Sequence, residues 1–440
     1  MLSKVIIGTW FAIVILASAN AEPKNYENYK VFRVNVPTKA HFDTLSGFKV
    51  QFWNEGRVGG HSDVMVAPND IDEVEYRLKV LKFHYSTMVE NVGDLMRLEK
   101  VPASVNAEKE STEHNMDWNE YHDQDDIESY LDYLAATYDF VEVESIGQSF
   151  EGRPMRVIKA CKGGCGSKPA MWIDGGIHAR EWISPAAVTW MMKELIENDA
   201  NHPELLDKLD WYLLPILNPD GYAYTQSDDR MWRKTRSTYE GQTYNCYGTD
   251  ANRNWGYHWN DGGSSDYGCA ETYMGPSAFS EVENQNIRDF ILAHKDQIKF
   301  FNTIHSYSQL ILLPWGFTYE NAPGYDKLMA LATKVFTAIY TVQSQLLSFY
   351  FFQANDALFN VHGEYYDVGC IPCLLYIASG GSMDWALGEA GIPYSYGMEL
   401  RDTGRYGFLL PPSEIIPTAE ETWAFHKTAA EVIIEEFATP

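Results

Sequence analysis

Basic residues are scarce in this chain. Its 34 Lys and Arg face 61 Asp and Glu, a formal net charge of −27, and no cluster of cations could neutralise a run of phosphates, which excludes nucleic acid as a natural partner. Long apolar runs are missing too. The N-terminal one, from Val5 to Leu16, falls short of the ~20 residues a spanning helix needs, and no later segment reaches that length, so no membrane span is expected. There is no N-x-Ser/Thr sequon, hence no expected N-glycan, and no GxSxG nucleophile elbow to support a serine hydrolase. HExxH is also absent, which removes one common zinc helix. No repeat or low-complexity tract occurs. With 45% hydrophobic and 22% charged residues, disorder is excluded as the main state.

Among the features present, Lys4 precedes the first apolar run, and Ala19-Asn20-Ala21 has the small-x-small form cut by signal peptidase. Residues 1–21 are therefore read as a signal peptide and the protein as secreted. Six cysteines in an oxidising compartment allow three disulfides. Cys246 and Cys269 flank a Gly-rich stretch and are expected to close it, while Cys161/Cys165 and Cys370/Cys373 sit in two tight turns. Fifteen connectivities are possible in principle, and a zinc site built from the four turn thiols is the alternative.

Residues 26 to about 98 read as a small α/β unit. Tyr29 to Val36, Lys49 to Trp53 and His61 to Val66 are strand-like, and Ile71 to Met88 carries apolar residues at helical spacing. The character then changes: Glu108 to Glu144 holds thirteen acids and one base, the composition of an exposed connector running into an acidic helix near Ile127 to Tyr138. A boundary near 100–115 follows. Beyond it, strand-like runs (Ala170 to Asp174, Asp210 to Leu217, Phe300 to Ile304, Leu310 to Leu313, Pro393 to Leu400) alternate with helical ones, the sign of an α/β sheet with helices on both faces. Ser184 before Pro185 reads as an N-cap, and Ser280 with Glu283 and Thr418 with Glu421 read as capping boxes.

The chemistry begins at Gly175-Gly176-Ile177-His178-Ala179-Arg180-Glu181-Trp182, which follows a predicted strand, where open α/β sheets place ligand sites. His178 and Glu181, three residues apart, can converge on one zinc ion and leave a third protein ligand and a water position to be supplied elsewhere. Alone, HxxE is weak, because about one chance match is expected in a chain this rich in acid. His305 ends a buried strand and is the candidate third ligand.

With these residues in view, the chain resembles the secreted zinc metallocarboxypeptidases of the A/B type. Seven blocks carry the resemblance in the family's order: HAREW at His178, NPDGY at Asn218, MWRKTRS at Met231, DANRNW at Asp250, IHSYSQ at Ile304, ASGGSMDW at Ala378 and ELRDTGRYGFLLP at Glu399. It implies a mixed twisted sheet flanked by helices, preceded by a small α+β open-sandwich prodomain, with residues 22–109 as activation prosegment and 110–440 as catalytic domain. It also implies one zinc held by His178, Glu181 and His305, with Asp250 orienting His178. Glu399 falls on the general base and Arg233 on the residue that steadies the oxyanion. Asn252 and Arg253 match the clamp for a terminal carboxylate, and Tyr376 the tyrosine that caps it. Arg180, Tyr307 and Phe408 match outer subsites. Met383 matches the floor of the side-chain pocket and Ala378, Ile371 and Gly397 other lining positions, which implies release of aliphatic or aromatic C-terminal residues. Gly397 stands where the family often has threonine, so a roomier pocket is expected. The usual Arg-rich activation site is lacking, and Lys100 and Lys109 are the tryptic candidates. The expected partners are peptide or protein C-termini and an activating trypsin-like protease, acting on a monomer. A digestive lumen suits the family, as do blood, granules and hormone processing.

Overall fold

A computed structural model describes residues 22–103, 114–239, 246–334 and 361–438. The expected signal segment and the Lys109 cut lie outside the described residues. The small N-terminal unit is an antiparallel sheet of β1 (Lys30–Val36), β2 (Gln51–Asn54), β3 (Gly60–Val66) and β4 (Tyr85–Val89), in the order β2-β3-β1-β4. Because alternate side chains leave a strand on opposite faces, β1 serves two cores. Phe32, Val34 and Val36 pack with Leu45, Val74 and Leu78 inside the unit, whereas Val31, with Trp53 and Met65, meets Met231, Tyr307 and Phe408 of the larger one.

The helical reading of Ile71 to Met88 holds only to Val80, and Tyr85–Val89 is a strand. Lys82 takes the left-handed conformation (φ 59°), and the Phe83 N–H returns to the Leu78 carbonyl at 2.9 Å, a turn that closes a helix end. Periodicity across 81–88 was continued from the helix by a strand whose Tyr85 and Val89 face inward.

The larger unit has eight strands: β5 (Val141–Gln148), β6 (Pro154–Ala160), β7 (Ala170–Gly175), β8 (Asp210–Leu214), β9 (Ile298–Ser306), β10 (Leu310–Leu313), β11 (Asp367–Cys370) and β12 (Tyr394–Leu400). Their order is β11-β10-β12-β9-β7-β8-β6-β5, with β8, β7, β9 and β12 parallel at the centre and antiparallel pairs towards both sides. Helices Gln124–Thr137, Ile183–Met192 and Ile415–Phe437 cover one face, and Val282–His294 and Ser382–Gly388 the other. This is the mixed, helix-flanked sheet expected from sequence.

The three cap readings were wrong. Ser184 lies inside a helix that starts at Ile183, and its Oγ donates to the Ile304 carbonyl (2.5 Å) and accepts the Gly176 N–H (3.0 Å). Ser280 Oγ accepts from Asn254 Nδ2, while Glu283 accepts the Phe150 N–H. Thr418 donates back to Glu414 within a helix that begins at Ile415, and Glu421 pairs with Arg401. Ser184, Ser280, Glu283 and Glu421 are taken by partners distant in sequence, whereas Thr418 bonds back into the preceding turn.

That last helix carries a measurable pH dependence. His426 is fully buried, its Nδ1–H donating to the Thr422 carbonyl and its Nε2 accepting from Asn302, and burial pushes the ring down to about 4. An unfolded histidine titrates near 6.5, so between about pH 6.5 and 4 the unfolded chain binds the extra proton, and stability present above that window is lost as pH falls. Thermal melts should show a loss on the order of 3 kcal/mol across it. His426→Gln should flatten that part of the slope relative to the parent.

Candidate active site

Three central strand ends converge. The chain leaves β7 at Gly175 and turns at Gly176, whose positive φ of 67° suits glycine, into the loop that carries His178 and Glu181. Asn218 fixes this loop by donating to the carbonyls of Ile177 (3.3 Å) and Lys234 (3.0 Å) while accepting the Gly221 N–H. His305 ends β9, and the parallel register of β9 with β12 places Glu399 directly beside it.

His178 Nδ1 stands 2.8 Å from Glu181 Oε1 and 3.1 Å from His305 Nδ1, which is 3.2 Å from Glu181 Oε2. All three side chains are buried. The outer nitrogens have partners of their own: His178 Nε2–H donates to Asp250 Oδ1 (3.2 Å), and His305 Nε2 lies 3.4 Å from the Thr303 hydroxyl and 3.3 Å from Asn252 Nδ2. This leaves two imidazole Nδ1 atoms and a carboxylate converging on one buried point, all mutually within 4.8 Å, a donor set that fits a divalent zinc and would be costly without a cation. Burial raises the Glu181 carboxyl, but His178 and His305 outweigh it and hold it well below the usual carboxylate range. At Asp250 burial is likewise outweighed, by Arg233, Arg253 and His178, so both acids stay ionised.

Arg233 grips Asp250 Oδ2 through Nη2 (2.8 Å) and Nε (3.2 Å), and its Nη1 points back to within 3.9 Å of Glu181. Asp250 also accepts the Asn252 N–H at 2.9 Å, starting the short turn Ala251–Arg253 that presents Asn252 and Arg253 to the cavity. Arg253 Nη2 lies 3.4 Å from the Tyr376 hydroxyl. Glu399 lines the same cavity, its carboxyl raised by burial and by nearby Glu181 while His305, Arg233 and Arg253 pull it down. Away from these charges the walls are Leu312, Ile371, Leu375 and Ala378, with Met383 and Gly397 beyond. A Cβ on Gly397 would lie 3.1 Å from Met383 Sδ, so the thioether takes up part of the room the glycine leaves.

The structure thus brings thirteen of the sequence candidates into or around one cavity. Arg180, Tyr307 and Phe408 form a separate layer beneath the N-terminal unit. Phe408 packs on Trp53 (5.5 Å between centroids) and Tyr307 (5.1 Å), the Arg180 guanidinium sits 4.3 Å from the Phe408 centroid, and the Tyr307 hydroxyl donates to Asp63 at 2.8 Å. Asp63, also bound by Arg33 at 2.7 Å through both Nε and Nη2, was missed in the sequence, as were Trp53, Glu55 and Glu99. An acid immediately before the apolar run Val64 to Val66, within a strand-like stretch, was the available hint. Glu55 is near enough to Arg253 and Arg233 for both to lower its carboxyl against a larger rise from burial. Glu99 closes on Arg230 with both oxygens, and both residues are buried. The cysteines pair as Cys161–Cys165, Cys246–Cys269 and Cys370–Cys373, which removes the thiol zinc site.

Comparison with known proteins agrees. The family described as zinc carboxypeptidase matches residues 127–425, and the carboxypeptidase activation peptide matches residues 32–99. The chain belongs to the zinc carboxypeptidase family. It is 47% identical to carboxypeptidase B of Astacus astacus over 324 residues, covering 73% of this chain and all of that protein. Identity to carboxypeptidase A1 of Bos taurus is 37% over 420 residues, covering 93% and 94% of the two chains. A crystal structure of carboxypeptidase A from Helicoverpa armigera superposes with a TM-score of 0.82 at 29% identity, covering 93% of this chain and 98% of that one. The chain is therefore a metallocarboxypeptidase with an activation peptide, of a family that binds one zinc ion. Among the described residues, no helix is long and apolar enough to cross a membrane.

The Glu99–Arg230 pair gives a test of the activation peptide's grip. Glu99→Gln would leave Arg230 buried against a neutral partner, a loss that in comparable buried pairs reaches about 2 kcal/mol or more, or roughly 30-fold in affinity. After tryptic cleavage, activity should appear with a shorter lag than in the parent while the cleavage rate seen on a gel is unchanged. An equal lag would mean that the pair contributes little to retention.

Proposed function

We propose that the chain is the secreted precursor of a zinc exopeptidase that, once residues 22 to about 109 are cut away, hydrolyses the last peptide bond of its substrates and releases aliphatic or aromatic residues. The observation that carries this reading is a single cavity holding three things together: a buried His178–Glu181–His305 donor set, the carboxyl group of Glu399, and an apolar end beyond Arg253. Three disulfides and the absence of free thiols among the described residues fit an oxidising compartment.

In this reading Arg253, helped by Asn252, holds the substrate's terminal carboxylate, a group that a guanidinium fork matches bidentately, and Tyr376 closes over it through the hydroxyl that already faces Arg253. The terminal side chain then lies between Ile371, Ala378 and Met383. Zinc held by His178, Glu181 and His305 would polarise the scissile carbonyl and lower the pKa of water. Glu399 takes a proton from the attacking water as its oxygen bonds to the carbonyl carbon, and then delivers that proton to the amine as the carbon–nitrogen bond breaks. Arg233 offers its positive charge to the oxygen on which negative charge develops, and Asp250 fixes the His178 tautomer while keeping Arg233 in place. The activation peptide blocks this path by covering Tyr307 and Phe408 with Asp63 and Trp53 and by bringing Glu55 within electrostatic reach of Arg253 and Arg233.

The test is to treat the full chain with trypsin and profile release of each C-terminal residue from a peptide library. Release should require the cleavage, stop with a zinc chelator and return with zinc. An untreated chain that is already as active would refute the blocked precursor, and activity indifferent to chelation would refute the metal.

A further inference from the structure

The short segment from Cys370 to Tyr376 contributes Ile371, Leu375 and Tyr376 to the cavity. Backbone contacts anchor its ends. Cys370 closes β11 opposite Leu313, and beyond Tyr376 the N–H groups of Ala378 and Ser379 donate to the carbonyls of Gly316 (2.8 Å) and Gly262 (3.1 Å). Between those anchors lies one helical turn, Ile371–Leu374, closed by the Leu375 N–H on the Ile371 carbonyl at 2.7 Å. A four-residue helix has no stability of its own, even with Pro372 setting its first turn. Two further ties hold it: the Cys370–Cys373 disulfide, and Arg57, whose Nη1 donates to the Cys373 carbonyl at 2.7 Å. Arg57 belongs to the activation peptide and departs with it, which leaves the disulfide as the cross-link on the turn, beside the packing of Ile371, Leu374 and Leu375 against the core.

We propose that Cys370–Cys373 is a positioning disulfide for substrate binding. It keeps Ile371 against the terminal side chain and sets the point from which Tyr376 reaches Arg253, in place of the hold that Arg57 supplies in the precursor. This rests on the exopeptidase reading above and adds that affinity for the C-terminal residue depends on a cross-link outside the catalytic set. The disulfide differs in this from Cys161–Cys165, whose turn joins β6 towards β7 and lines no part of the cavity.

The experiment compares activated parent, Cys370→Ala/Cys373→Ala and Cys161→Ala/Cys165→Ala enzymes on a blocked dipeptide ending in Phe. Losing the pocket cross-link should raise KM about five- to tenfold with kcat within about twofold, whereas the control pair leaves KM unchanged. Tyr376→Phe should raise KM less in the cross-link-free background than in the parent, because the tyrosine is no longer held in place. An unchanged KM would overturn the proposal, as would a fall in kcat and Tm with KM intact, since that is what a merely structural bridge would give. If the double variant fails to fold, the activated parent can be reduced in zinc-containing buffer, the exposed Cys373 capped, and modification located by mass spectrometry. The same KM rise is expected, and its absence overturns the proposal. A parent that releases no C-terminal residue would instead sink the exopeptidase reading.

Discussion

Glu399→Gln should lower kcat by about three orders of magnitude or more while the enzyme retains one zinc per chain. The amide keeps the shape and most of the hydrogen-bonding capacity of the carboxylate but cannot accept the proton of the attacking water. The contacts that hold the donor set run among His178, Glu181, His305, Asp250 and Arg233 and do not pass through Glu399, so the change removes a base without unseating a ligand. His305→Ala provides the contrast: it removes a ligand from the convergent point, and zinc content should fall together with turnover. Measuring metal by elemental analysis beside kcat on the trypsin-activated proteins separates the two cases. Near-normal turnover in Glu399→Gln would mean that another group serves as base, and loss of zinc in that variant would mean that the carboxylate belongs to the donor set.

Much of this site was legible in the sequence because its parts are local. His178 and Glu181 fall three residues apart in one loop, and Asn252 and Arg253 follow Asp250 in one short block, through which the family resemblance carried their roles. His305 and Glu399 could be placed at strand ends, but only the β9–β12 register makes them neighbours. Pairing across 93 intervening positions leaves no periodic trace. The layer beneath the activation peptide was harder still, since Asp63 meets Tyr307 and Glu99 meets Arg230 through contacts that form only after both sheets have folded. Ser184 and Ser280 failed as caps for the same reason, whereas Thr418 bonds back to Glu414 four residues before it. A capping motif offers the helix end about 1 kcal/mol, and a buried long-range acceptor such as the Ile304 carbonyl can outbid it.

The preference among C-terminal residues should favour Phe, Tyr and Leu over Lys and Arg by about 100-fold or more in kcat/KM. The reason is what surrounds the substrate side chain. Leu312, Ile371, Leu375, Ala378 and Met383 are apolar, Gly397 adds no polar atom, and the hydroxyl of Thr303, which also lines the cavity, donates to Asp174 at 2.7 Å. The nearest acid in sequence, Asp384, is turned away: it accepts the Gly316 N–H at 2.8 Å, and burial, countered only in part by the N–H groups of Gly316 and Phe317, raises its carboxyl to about 7. A buried ammonium would therefore lie against a thioether with no ionised partner, at a cost of several kcal/mol, whereas an apolar side chain gains about 1.5 to 3 kcal/mol on leaving water. The net charge of −27 does not reverse this, because attraction of a basic peptide from solution is screened beyond ~8 Å at physiological salt and pairs no buried cation. The name of the Astacus relative, carboxypeptidase B, makes a basic preference the competing reading, and a substitution at Met383 tests between them. Met383→Asp places a carboxylate where the thioether now lies beside Gly397, so it should supply the missing partner and at the same time leave an unpaired charge against Phe or Leu. The ratio of Lys to Phe release should rise by about 100-fold or more. Faster release of Lys or Arg by the parent would show that another acid reaches this pocket, and a ratio unmoved by Met383→Asp would show that the terminal side chain binds elsewhere.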